Sequence, residues 1–265
     1  PTLPPDRVIG EPEGRDTAAA VGLAALLVQK EDGDAAFALL PADHVIDDAK
    51  GFRVTLEAAF VASEAEDVLV TIGIKPDFPS TGYGYLCRGE QLKVDDGRVL
   101  SRVDRFVEKP DLPKAKEYLK EGTYFWNAGM FVWRPGVILA EIDRLTPKLA
   151  HGLRELKTMW RDSGDLEQAM SKIYPSLEKI SIDFAVMENA DAVVMLESSF
   201  DWDDVGEWPA IARHYPKDEN GNVFKGLGLA VDSSENLTFS EDGHCVSLLG
   251  VKDLIVVQSG DATMI

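Results

Sequence analysis

The chain has 265 residues, 45% of them hydrophobic and 28% charged, with a formal net charge of −19. This length and balance suit one large α/β domain, or a domain plus a small appendage, and the acidity excludes a basic nucleic-acid-binding surface. No apolar run is long enough to span a bilayer, no charged-then-apolar leader opens the sequence, and two distant cysteines, Cys87 and Cys245, give no disulfide framework, so a reducing cytoplasm is the expected setting.

The sequence begins at Pro1, without a Met, in the Pro-rich run 1–5, and it stops directly after a strand-like run at Ile265, so both ends read as cut. Asp16 and Thr17 are good N-cap types before an almost wholly apolar run to Val28, which predicts a buried helix. The short apolar run 35–40 fits a buried parallel strand ending at Pro41-Ala42-Asp43-His44. A helix over about 51–65 and a second buried strand over 67–72 follow, and strand–helix–strand in this order points to a parallel sheet with crossover helices. Strands are expected over 83–88 and 92–107, with Asp95-Asp96-Gly97 as a hairpin signal, then a helix over 112–119 and a strand over 126–133. Helices dominate from Gly136 to about Met170. From Gly226 short strands recur, with turns at Ser233-Ser234-Glu235-Asn236 and Glu241-Asp242-Gly243. The expected division is therefore 1–225 and a small β element over 226–265.

Several residues could carry chemistry, and each has a plainer reading when taken singly. Asp43 lies just past a buried strand, where open α/β sheets bind ligands, and could hold Mg²⁺; it could equally be a loop or capping Asp. Lys109 could reach a phosphate and Glu108 could accept from sugar hydroxyls, or the two form a solvated pair at a strand end. Asn127 is an amide near Gly129, at the entry to a core strand. Asp201, Asp203 and Asp204 put three carboxylates in four positions, which is costly unless a cation or solvent relieves it. The run Thr81-Gly82-Tyr83-Gly84-Tyr85 is too short for a dinucleotide or triphosphate fingerprint. His44 reads as a supporting neighbour of Asp43 rather than a base; His151, His214 and His244 read as structural or surface residues.

In order, these motifs say more. Glu11-Pro12-Glu13-Gly14-Arg15-Asp16-Thr17-Ala18 precedes Leu40-Pro41-Ala42-Asp43-His44 and Thr81-Gly82-Tyr83-Gly84-Tyr85. Phe106-Val107-Glu108-Lys109-Pro110, Trp126-Asn127-Ala128-Gly129-Met130-Phe131, Ser181-Ile182-Asp183 and Trp202-Asp203-Asp204-Val205-Gly206 follow. The series resembles the bacterial mannose-1-phosphate guanylyltransferases, a family of sugar-nucleotide pyrophosphorylases, over essentially the whole chain.

The resemblance implies an α/β, Rossmann-like nucleotidyltransferase (nucleotide-diphospho-sugar transferase) fold with a mixed, mainly parallel sheet. It implies GDP-mannose and pyrophosphate made from GTP and mannose 1-phosphate with Mg²⁺, in a cytoplasmic protein with neither nucleic-acid nor membrane partners, and a homodimer as the expected assembly. Asp43 and Asp204 would be the metal carboxylates and Lys109 the sugar-phosphate contact, these three forming the catalytic set. Glu108, Asn127 and the Gly84 backbone would line the sugar pocket, Glu11 would face the guanine edge, and Arg15 and Thr17 would join the substrate-binding set. Two departures stand out. The family's Gly-rich loop lies before the point where this sequence starts, which implies that the 265-residue chain alone is inactive. Asp16 also stands where the family usually has Asn. The competing expectations are a related pyrophosphorylase for another sugar 1-phosphate, a non-catalytic nucleotide-sugar-binding homologue, and a tail that serves assembly.

Overall fold

The computed structural model describes residue 4 and residues 7–95, 98–241 and 243–265. Part of the Pro-rich opening, Asp96-Gly97 of the expected hairpin turn and Asp242 of the last expected turn lie outside the described residues. The chain forms two compact units, one of residues 1–41 and 47–201, the other of residues 42–46 and 202–265. The second unit thus starts at Trp202 and takes in the short segment around Asp43, where the sequence suggested a division near Gly226.

The larger unit is built on a six-stranded sheet in the order β1-β5-β2-β6-β4-β3. Its strands are β1 (Phe37–Leu39), β2 (Leu69–Ile74), β3 (Tyr85–Asp95), β4 (Arg98–Val107), β5 (Tyr124–Trp133) and β6 (Val193–Glu197). The helices are α1 (Asp16–Asp32), α2 (Ala49–Ala65), α3 (Leu112–Glu121), α4 (Pro135–Leu145), α5 (Pro147–Ser163) and α6 (Leu166–Ile173). Strand alternation decides which layer each side chain joins. Leu69, Phe131, Trp133, Val193 and Met195 face a core shared with α1, α4, α5 and α6. Val70, Val132, Val194 and Leu196 face the opposite side, where Ala59 of α2 packs on them. Both faces are covered, so β2 is buried at every position, with Thr71 its one polar side chain. Truncating a fully buried member such as Ile138 or Leu156 to Ala would cost about 2–5 kcal/mol.

The mainly parallel sheet needs a correction. Strands β1, β2, β3 and β6 share one direction, while β4 and β5 run opposite to them. Because β5 sits between β1 and β2, and β4 between β6 and β3, the only parallel pairing described in this sheet is β2 with β6. A strand covered on both faces reads as a continuous apolar run whichever way it points, so the composition of β5 could not reveal its direction.

Other boundaries moved for local reasons. Arg15, rather than Asp16 or Thr17, is the N-cap residue of α1 and makes no side-chain cap. The helix start is tied instead by its neighbours: the Ala18 N–H donates to Ile180 O at 3.1 Å, and the Ile182 N–H to Thr17 Oγ1 at 2.8 Å. Helix α3 is capped by Asp111, whose carboxylate accepts from the Lys114 N–H at 3.0 Å.

The smaller unit stacks short parallel strands: β7 (Val223–Lys225), β9 (Leu237–Ser240) and β11 (Ile255–Ser259), with β12 (Ala262–Met264) antiparallel at the edge. Strands β8 (Leu227–Val231) and β10 (Cys245–Leu249) form a second, two-stranded parallel sheet. A short helix, α7 (Trp208–Ala212), precedes them. Buried amides join successive turns: Asn236 Nδ2 donates to Asn222 Oδ1 at 2.8 Å. Cys87 and Cys245 are free thiols, and among the described residues no helix is long and apolar enough to cross a membrane.

Candidate active site

Strand β4 ends at Val107, and the next residues turn sharply. Lys109 adopts a left-handed φ of +45°, Pro110 follows, and Asp111 at once caps α3. This exit leaves Glu108 and Lys109 at the strand end. Lys109 Nζ lies 3.2 Å from Glu108 Oε1, with the Glu108 side chain only 10% exposed and that of Lys109 62% exposed. The Glu108 N–H donates to Glu188 Oε1 at 3.2 Å. A Cβ placed on Gly84 would lie 2.5 Å from Glu108 Oε2 and 3.5 Å from Asn127 Cβ, so the absent side chain is what admits the carboxylate. The Asn127 N–H donates to Gly84 O at 2.8 Å, completing the set.

Asn127 projects from β5, where its backbone is registered with Gly73 of β2. Its Oδ1 accepts from the Gly129 N–H at 3.2 Å and from the Thr71 hydroxyl at 2.9 Å, and its Nδ2 donates to Asp183 Oδ1 at 3.1 Å. Burial, then the Glu108 charge, pushes the Asp183 carboxyl up to about 6, with Lys109 and Asn127 opposing. Gly84, Glu108, Lys109 and Asn127 are thus brought together, with Asp183 and Glu188 added. Asp183 stood in the Ser181-Ile182-Asp183 motif and Glu188 a few residues beyond it, but spacing alone gave them no role.

Glu11, Arg15 and Thr17 meet a different partner, the segment 174–182. The fully buried Tyr174 donates its hydroxyl to Glu11 Oε1, and burial together with that carboxylate raises the phenol well above its ordinary range. Arg15 donates to Pro175 O and pairs with Glu13 at 3.1 Å. Asp16 has φ +55°, a conformation that Asn and Asp tolerate better than most side chains. The departure from Asn at this position therefore keeps the backbone option.

In the smaller unit, Val45 and Asp203 exchange backbone hydrogen bonds of 2.8 and 3.1 Å. Trp202 Nε1 donates to His44 Nδ1 at 3.0 Å, with the two rings edge-on. Burial lowers the His44 pKa, against the raising influence of Asp43, Asp204 and Asp203, all close enough to act on it. His44 thus braces this pair of segments, in line with a supporting rather than a basic role.

The crowded acidic run is sorted by partner. Asp201, in the larger unit, accepts from the backbone N–H groups of Asp47 and Asp48 at 3.2 and 2.9 Å. Asp203 takes a two-pronged bond from Arg213, at 2.6 and 2.8 Å, and lies 3.0 Å from His214 Nε2. Asp204 is half-buried and accepts from the Gly206 N–H at 3.4 Å across Val205, whose φ is +49°. A β-branched residue in that region is strained, a cost met at functional turns. Among the described residues no cluster of three or more His, Cys, Asp or Glu side chains is arranged to hold a metal. Asp43 and Asp204 supply hard oxygen donors of the kind Mg²⁺ uses, one or two carboxylates completed by substrate phosphates.

A family model described as nucleotidyl transferase matches residues 7–221. Mannose-1-phosphate guanylyltransferase of Klebsiella pneumoniae is 36% identical over 260 residues, covering 98% of this chain and 55% of its own length. The alginate biosynthesis protein AlgA of Pseudomonas aeruginosa is 37% identical over 258 residues, 97% of this chain and 53% of its own. A crystal structure of a mannose-1-phosphate geranyltransferase from Thermus thermophilus matches with a TM-score of 0.81 at 34% identity, over 97% of this chain and 72% of that one. The chain spans about half the length of the curated relatives it matches. With its α/β fold, its mixed sheet and a match over most of its length, the chain belongs to the nucleotidyl transferase family.

Proposed function

We propose that this chain carries the sugar-phosphate-binding and metal-binding parts of an enzyme that makes GDP-mannose and pyrophosphate from GTP and mannose 1-phosphate. The observation that carries the reading is the cluster of Gly84, Glu108, Lys109 and Asn127: a shielded carboxylate and an oriented amide for hydroxyls, beside an exposed ammonium for the phosphate.

A sugar 1-phosphate is already a nucleophile, so no side chain need take a proton from it. The work left to the protein is to align its oxygen in line with the α-phosphorus and to stabilise the growing charge. Lys109 offers a point charge to the sugar phosphate, while Glu108 and Asn127 fix the ring by its hydroxyls. Asp43 and Asp204 would hold Mg²⁺, which when bound neutralises phosphate charge. Glu11 would accept from the guanine N1–H and exocyclic amine, a pairing adenine does not offer, with the buried Tyr174 hydroxyl fixing its Oε1.

The test is product formation by the protein at its natural length with Mg²⁺, comparing GTP, ATP, UTP and dTTP against several sugar 1-phosphates. GTP with mannose 1-phosphate should give the highest kcat/KM. A preference for UTP or dTTP would overturn the role given to Glu11.

A further inference from the structure

Asp183 takes no part in the reaction just described, yet it meets the sugar-phosphate cluster from a separate element. It opens a π-helical turn, Asp183–Met187, closed by the Glu188 N–H donating to Asp183 O at 3.0 Å. Such widened turns recur at functional sites. The turn is anchored on one side by the bond from the Ile182 N–H to Thr17 Oγ1, at 2.8 Å. On the other side it presents two carboxylates: Asp183 to the Asn127 amide at 3.1 Å, and Glu188 to the Glu108 N–H at 3.2 Å.

The orientation of Asn127 follows from its partners. The Gly129 N–H can only donate, so the atom it meets at 3.2 Å is the amide oxygen, and the Thr71 hydroxyl donates to the same atom. The amide nitrogen therefore faces Asp183. That nitrogen carries two hydrogens, so Asn127 can hold Asp183 with one and offer the other to a ligand.

We propose that Asp183 is a positioning residue of the sugar-phosphate pocket, locking the Asn127 amide against Thr71 and Gly129 so that its remaining N–H meets a sugar hydroxyl beside Glu108. The proposal rests on the sugar-phosphate reading above. Because burial and the Glu108 charge push the Asp183 carboxyl up to about 6, the lock changes strength within an accessible pH range. The charged groups around it are Glu108 and Lys109 from the end of β4 and Glu188 on its own turn.

The experiment compares wild type, Asp183→Ala and Asp183→Asn by NMR of the Asn127 side-chain amide across pH 5–8 without ligand, and by equilibrium binding of mannose 1-phosphate. In wild type the Asn127 amide signals should move with a midpoint of about 6, and in Asp183→Asn that movement should vanish. Asp183→Ala should weaken mannose 1-phosphate binding about tenfold, the scale of one lost hydrogen bond, with Asp183→Asn recovering most of it. Unchanged binding in Asp183→Ala, or an Asn127 amide indifferent to pH in wild type, would overturn the proposal. If wild type fails to bind mannose 1-phosphate, the proposed function falls first, and the ligand-free Asn127 titration still decides whether Asp183 positions that amide.

Discussion

The two regions that carry the candidate chemistry are built in contrasting ways. In the larger unit, Gly84, Glu108, Asn127 and Asp183 interlock: the Asn127 amide is held by Thr71, Gly129 and Asp183, and the Glu108 side chain is 10% exposed. In the smaller unit Asp43 is exposed, Asp204 is half-buried, and the strongest bonds go to their neighbour Asp203. The difference matches the tasks assigned to each. Reading hydroxyls requires donors and acceptors fixed before the sugar arrives, whereas carboxylates that share a cation with substrate phosphates must leave room for those phosphates.

Four substitutions can break or sharpen this contrast. Asp204→Asn should have the largest effect, lowering Mg²⁺-dependent product formation by about 10³-fold while thermal stability is kept; undiminished turnover would return Asp204 to an ordinary loop residue. Gly84→Ala puts a methyl group where Glu108 Oε2 stands at 2.5 Å, and should raise the KM for mannose 1-phosphate with less change in kcat. The rise should be about tenfold, and steady-state kinetics on a folded variant would show it.

Asp203→Asn tests the bracing of the open region and should destabilise the smaller unit by about 1–2 kcal/mol at pH 7. Burial raises the Asp203 carboxyl, but Arg213, the Val205 N–H and His214 together outweigh it and leave it below the usual range. Its contribution is therefore present above about pH 4, the ordinary carboxylate pKa, and is lost as pH falls further, so melts of wild type and variant should converge in acid. Asp183→Asn should go the other way. A carboxyl raised to about 6 penalises the folded state once ionised, so the variant should be more stable at pH 7.5. A gain of about 1 kcal/mol is expected, disappearing below about pH 4, and denaturant titration at the two pH values would measure it.

Much of the larger unit was legible in the sequence because its signals are local. The apolar run of α1, the alternation of strands and helices around β1, α2 and β2, and the helix over 112–119 are written in neighbouring residues. Strand β6 was missed although Val193-Val194-Met195-Leu196 is a short apolar run of the right length, and it proves to be an inner strand paired with β2 and β4. Direction was illegible for β5, since burial on both faces erases the alternation that would distinguish it. At the candidate site, the grouping of Gly84, Glu108 and Asn127 could be expected only from the ordered resemblance, because they come from three separate segments. The sorting of Asp201, Asp203 and Asp204 was beyond composition, since it depends on Arg213 and His214 ten and eleven residues past Asp203. Asp183 lies in the Ser181-Ile182-Asp183 motif, but its contact with the Asn127 amide joins two segments far apart in the chain, which no local pattern displays.

The most direct test of the central claim is a chemical-shift titration of isotope-labelled chain with mannose 1-phosphate. The account predicts saturable changes centred on Gly84, Glu108, Lys109 and Asn127. Saturable changes that leave those four residues unmoved, or no binding at all, would contradict it.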